Sequence, residues 1–158
     1  IMKRTTFRSS LACLMLCGAA TAFADGSRMP PDPDKTWLEE CGTCHVAYPP
    51  ALLTADTWRR LMAGLDRHFG SNAALDAPTA ARITTFLERN ASTRGERNAA
   101  ASLRITDTRW FTRKHDELSP TVWHDPKVKS PANCAACHRN AESGRYDEHD
   151  IALPNVRR

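Results

Sequence analysis

Two short stretches constrain this chain more than anything else in it: Cys41-Gly42-Thr43-Cys44-His45 and Cys134-Ala135-Ala136-Cys137-His138. Each is a Cys-x-x-Cys-His pattern, in which two thiols and an imidazole leave the backbone within about one turn. That spacing suits covalent attachment of haem. The thiols add across the vinyl groups as thioethers, and the adjacent histidine reaches the iron from the same face. A zinc ribbon uses paired Cys-x-x-Cys motifs separated by about 15–20 residues, whereas these two lie roughly ninety apart. A thioredoxin-like redox pair expects a strand before the motif, and no strand-period segment precedes either one. Both alternatives leave the two histidines unexplained. The expected cofactors are therefore two covalently bound haem c groups. Cys41, Cys44, Cys134 and Cys137 are their attachment points, and His45 and His138 the first iron ligands.

The N-terminus reads as an export signal. Lys3, Arg4 and Arg8 form a basic segment, Leu11 to Ala20 an apolar one, and Ala22-Phe23-Ala24 a cleavage site before Asp25. The apolar run is too short to span a bilayer, which needs about 20 residues. The expectation is a signal peptide over residues 1–24, a periplasmic location, and no membrane span in the mature chain. Cleavage removes three basic residues and lowers the formal charge from +4 to +1, so the basic balance gives no reason to expect a nucleic-acid partner. It also removes Cys13 and Cys17 and leaves four cysteines, all inside the two motifs. The mature sequence is poor in aliphatic side chains and rich in alanine and arginine, a thin supply for an oily core. Two haems would furnish the missing apolar volume.

No strand-period segment of any length is found, so the expected class is all-α with long loops. Thr36 to Cys44 suits a short helix with Trp37 and Leu38 inward, ended by Tyr48-Pro49-Pro50. The strongest helical periodicity runs from Ala55 to His68: Trp58, Leu61, Met62, Leu65 and His68 recur at three- and four-residue steps. A further helix is expected over Pro78–Asn90, capped by Asp76, with Ile83, Phe86 and Leu87 buried. Another is expected over Thr108–Glu117, with Trp110, Phe111 and Leu118 near His115. Ser130-Pro131 looks like a cap followed by proline at the first helical position, opening a helix that carries the second motif. The polar stretch 92–104 reads as a connector between one half at about 25–91 and another at about 105–158 of a single dihaem domain (25–158).

The second axial ligand decides what such irons do. An iron with one protein ligand binds small molecules, and an iron with two is built for electron transfer. His68 lies on the apolar stripe of the best helix and His115 follows Trp110-Phe111 at helical spacing, so both are expected as iron ligands. His124 sits in a loop, His149 among charges, Met62 reads as core filler, and Met29 lies in a Pro-rich leader. His68 comes twenty-three residues after His45 and His115 twenty-three before His138. Sequential pairing, His45 with His68 and His115 with His138, is simplest; a crossed pairing would knit the halves together.

The motif stretch Cys41–Pro50, the segment Trp58–Gly70 with its His-Phe-Gly ending, Trp110–His115 and Lys129–His138 together closely resemble the small bacterial dihaem cytochrome c family. The resemblance covers nearly all of the mature chain. It implies a two-lobed, all-α periplasmic protein with short helices packed around two bis-histidine haems, and it supports His68 and His115 as distal ligands. It further implies redox partner proteins such as a b-type membrane cytochrome or a small oxygen-binding cytochrome. The leading functional expectation is an electron carrier without a substrate of its own. The competing one is a haem enzyme or sensor with one five-coordinate iron that binds peroxide, nitric oxide or oxygen.

Overall fold

The computed structural model describes residues 29–93 and 103–153. The expected signal peptide and its cleavage site lie outside the described residues, as does most of the expected connector. Four α-helices are present among them: α1 (Lys35–Cys41), α2 (Ala55–Met62), α3 (Ala77–Arg89) and α4 (Arg109–Lys114). Short 3-10 turns supply most of the remaining regular structure. No strand occurs among the described residues; two isolated bridges, His68 with Ser71 and His138 with Ile151, are the nearest approach. The all-α expectation is met.

The helices begin where side-chain acceptors satisfy their first free N–H groups. Asp34 accepts from Trp37 N, Thr54 from Thr57 N, Asp76 from Thr79 N and Thr108 from Phe111 N. α3 matches its expectation closely, with Pro78 in the first turn and Ile83 and Leu87 buried. α1 stops at Cys41, three residues short of expectation, so that Cys44 and His45 sit beyond the helix. Gly42 caps it by donating to Leu38 O, and a Cβ at that position would fall on the same carbonyl oxygen.

In the first half, α3 packs against both α1 and α2. Trp37, Ala47, Leu53, Trp58, Ile83 and Leu87 form the buried cluster, with Met62 and Met29 packed on its border. Met62 is core filler, as expected. Met29 is not loose leader: it also reaches Gly144, whose φ of +66° is a left-handed conformation that glycine adopts freely. A Cβ on Gly144 would fall on the Met29 side chain. Trp58 Nε1 donates to Pro50 O at 2.7 Å, which satisfies the one polar atom of a buried indole. The surface pairs Arg59–Glu88 at 2.8 Å and Arg82–Asp34 at 2.9 Å join the helices at their edges and add little stability.

The second half is built mainly of turns, and its buried side chains are few: Thr108, Phe111, Val122, Val128 and Ala141. Here two expectations fail. α4 ends at Lys114, with His115 as its C-cap, well short of Glu117. The second motif opens no α-helix, only a 3-10 turn over Cys134–Ala136. Ser130 and Asn133 explain this: Ser130 Oγ accepts from Ala132 N and Asn133 Nδ2 donates to Val128 O. These are local side-chain bonds that compete with helix formation. His138 N still bonds Cys134 O at 2.9 Å, so the three motif side chains come off a single turn.

Candidate haem sites

His45 follows α1 by four residues and is half-buried. Its Nδ1 lies 2.8 Å from Val46 O, and its ring stacks on Tyr48 with centroids 4.5 Å apart and planes 16° apart. Across from it stands His68, with ring centroids 6.2 Å apart. The route to His68 corrects the sequence reading. The apolar stripe of α2 does not carry it, because the helix ends at Met62. The chain turns at Ala63-Gly64, and a 3-10 turn over Leu65–Arg67 delivers His68 at its end. The interruption falls at glycine, the residue that a helix interior holds least well apart from proline. Phe69 then takes φ +50° and Gly70 φ +100°, turning the chain sharply after the histidine.

The second site has the same spacing. His115 and His138 also have ring centroids 6.2 Å apart. His115 Nδ1 lies 2.9 Å from Phe111 O, one turn back along α4, and its ring stacks on Phe111 at 4.1 Å. Trp123 closes the pocket edge-on, 5.8 Å from His115 and 5.9 Å from Phe111. Tyr146 packs edge-on against His138 at 5.3 Å. The planes of the paired histidines differ between the sites: 30° for His45 and His68, 85° for His115 and His138.

The rings therefore meet within each half, in sequential order. His124 and His149 are exposed, and neither faces another histidine ring. Trp123, Tyr48 and Tyr146 had no place at either site in the sequence reading, where Tyr48 only helps to end the first helix. No periodic signal marks them, since turns rather than helices place them; aromatic residues close to a motif or ligand in sequence were the only clue.

The electrostatics suit neutral imidazoles, the form that binds metal. Burial pushes His68 below the ordinary histidine value, with His45 and Arg104 adding to the shift. Burial does the same for His138, reinforced by His115. With Nδ1 of His45 and of His115 each bonded to a carbonyl, the Nε2 lone pair is left for a metal. Cys41, Cys134 and Cys137 are the reverse of reactive redox thiols, which need lowered values. Burial, with Glu40 adding to it, pushes Cys41 up to about 11. Burial pushes Cys134 up to about 11, and raises Cys137 as well. All four cysteines are unpaired. Among the described residues no three His, Cys, Asp or Glu side chains converge as a metal-holding group, so the zinc reading lacks a donor set.

Haem fits these surroundings on a further ground. Trp110 Nε1, Tyr146 Oη and His138 Nδ1 are buried without a hydrogen-bond partner, all in the second half. Orphaned buried donors are costly and rare in folded proteins. A group bearing carboxylates, as haem does, would supply acceptors.

The family model for dihaem cytochrome c matches residues 37–146. Among solved structures, the dihaem cytochrome c from Rhodobacter sphaeroides is 43% identical with a TM-score of 0.65, over 72% of this chain and 96% of that one. The dihaem cytochrome c from Shewanella baltica is 40% identical with a TM-score of 0.67, over 77% of this chain and 93% of that one. No curated protein sequence matches. The chain belongs to the dihaem cytochrome c family, and its cofactors are two covalently attached c-type haems. No helix among the described residues is long and apolar enough to cross a membrane.

Proposed function

We propose that this protein is a one-electron carrier whose two haems are each attached through one Cys-x-x-Cys pair and closed by two histidines. In this reading Cys41 and Cys44 attach one haem between His45 and His68. Cys134 and Cys137 attach the other between His138 and His115. The observation that carries it is the shared 6.2 Å separation of histidine rings at two sites built from different elements. Two metal–nitrogen bonds of about 2 Å, with about 1.1 Å from each nitrogen to its ring centre, span about 6.2 Å. Rings in simple van der Waals stacking would sit closer, as His115 and Phe111 do at 4.1 Å.

Bound haem supplies the one-electron couple of its iron. The protein's residues do the rest. Val46 O and Phe111 O fix the tautomers of His45 and His115. Burial keeps His68 and His138 neutral and ready to bind metal. Phe111, Trp123 and Tyr48 hold the rings against rotation. A site closed on both faces leaves no position for a substrate, which favours an electron carrier over a peroxidase or gas sensor. Two imidazoles, in place of imidazole and thioether, favour the ferric state and a low potential.

The partners are redox proteins that dock weakly and in a salt-sensitive manner on a small interface. Given the kinship, a b-type membrane cytochrome or a small oxygen-binding cytochrome is the class to try first. The working location is the periplasm, after removal of residues 1–24. The test is a haem count by pyridine haemochrome on the exported protein, followed by the reduced spectrum with and without carbon monoxide. Two haems per chain and an unchanged spectrum are expected. A carbon monoxide shift at either haem would mean an open iron and would sink the carrier reading.

A further inference from the structure

One side-chain hydrogen bond joins the segments that flank the two haem motifs. Tyr48 Oη donates to Ala132 O at 2.6 Å, across 84 residues of sequence. At one end the Tyr48 ring lies flat on His45, with centroids 4.5 Å apart and planes 16° apart. At the other end Ala132 stands two residues before Cys134, and its N–H is pinned by Ser130 Oγ at 3.1 Å. Tyr146 belongs to the same seam, edge-on to His138 at 5.3 Å. An ordinary phenol is protonated near neutral pH, so Tyr48 serves as a neutral O–H donor to Ala132 O.

From this contact we infer that Tyr48 is a positioning residue that sets the separation of the two haems and with it the rate at which they share one electron. The inference rests on the assignment of the two motifs as haem-attachment sites. Stacking fixes the ring relative to the His45 imidazole, and the phenolic bond ties that ring to the turn from which Cys134 projects. Little freedom is left between them. With both haems bound, exchange would oxidise one iron as it reduces the other, so that no further reductant or oxidant would be needed; Tyr48 would be neither oxidised nor deprotonated, its O–H staying on Ala132 O. Three restraints meet at this one residue: the stack, the bond and burial in the seam.

The test is Tyr48→Phe, which keeps the ring and deletes only the donor. Haem content and the carbon monoxide test are run first, so that failure of bis-histidine closure is recognised separately. The half-reduced protein is then followed by proton NMR of the haem methyl groups. Their line shapes report exchange between the two singly reduced forms, and a redox titration reports the gap between the two midpoints. Y48F is expected to retain two low-spin haems, slow the exchange several-fold and alter the gap. Thr84→Val, which deletes a hydroxyl bond of 2.7 Å within α3 and away from the seam, is the comparison and is expected to change neither. Wild-type exchange and an unchanged gap in Y48F would overturn the positioning role while leaving the closed-iron reading intact. Should Y48F fail to accumulate, the wild-type ferric protein still decides. Its Tyr48 hydroxyl proton must exchange slowly with water and carry paramagnetic shifts, and a fast-exchanging, unshifted proton refutes the inference.

Discussion

Replacing Thr108 by valine removes one oxygen and leaves the shape of the side chain almost unchanged. Thr108 is 1% exposed. Its Oγ1 accepts from Phe111 N at 3.1 Å, capping α4, and donates to Ile105 O at 2.7 Å. Ile105 O would stay satisfied, because Thr108 N also bonds it at 3.1 Å. Phe111 N would not: Phe111 is buried, so water has poor access to the freed N–H. Loss of a helix cap costs about 0.5–2 kcal/mol, and a buried orphaned donor places this case at the upper end of that range. The lost donation to Ile105 O adds about 0.5–1 kcal/mol. The expected destabilisation is about 2–3 kcal/mol, or about 10 °C in Tm for a domain of this size. α4 has only six residues and ends at His115, so the loss falls directly on a proposed iron ligand. The assay is urea unfolding of the holoprotein followed in the far-ultraviolet and at the haem band, with Thr108→Ser as the control that keeps the oxygen. T108S is expected near wild type. A T108V variant within about 0.5 kcal/mol of wild type, or a T108S variant equally damaged, would refute the capping argument.

The histidine assignments predict a simple pattern under carbon monoxide: His68→Ala and His115→Ala each open one of two haems, whereas His124→Ala opens none. A closed H68A protein, or an open H124A one, would show that the wrong rings were paired. Asp34 gives a pH prediction. The N–H of Trp37 foremost, then the Arg82 guanidinium, hold its carboxyl below the ordinary 3.8. A carboxyl with a lower value in the folded state stabilises fully above the unfolded value and loses that contribution as pH falls through the folded one. Asp34→Ala therefore costs about 1 kcal/mol near neutrality, and the gap to wild type narrows below about pH 3.8 as the carboxyl protonates. A gap that stays constant down to pH 2, checked by urea unfolding across that range, would remove Asp34 from the acid response.

The sequence was most informative where chemistry or periodicity leaves a local mark. The motif residues are explicit. Asp76 with Pro78 announces α3, and the stripe of Ile83 and Leu87 buries as read. His68 and His115 were singled out for the right company and the wrong scaffold. Both were placed within continuous helices, yet each sits just past a helical segment, released by Gly64 in one case and by the short span of α4 in the other. A helical stripe continues through a break when the residues beyond it are still apolar, so periodicity alone overran both ends. Turn-built regions were the least legible. Ser130-Pro131 looks like a helix start, but Ser130 and Asn133 spend their side chains on local bonds that hold the backbone in turns. Tyr48 gains its position through a bond to Ala132, 84 residues away, which no window of neighbouring residues contains, and Trp123 and Tyr146 are placed by turns and loop that leave no periodic mark.

The contact of Met29 with Gly144 has a consequence for the order of assembly. It closes a loop that encloses both haem motifs and nearly all of the described chain. Such a contact carries a high closure entropy and forms late, after local turns and helices are in place. The fit also requires glycine's left-handed backbone and bare Cα, so the latch cannot form until the segment carrying Gly144 has emerged and turned. The latch thus closes after the local turns and helices that carry Cys41, Cys44, Cys134 and Cys137 have formed, and the seam between Met29 and Gly144 is a late one to shut.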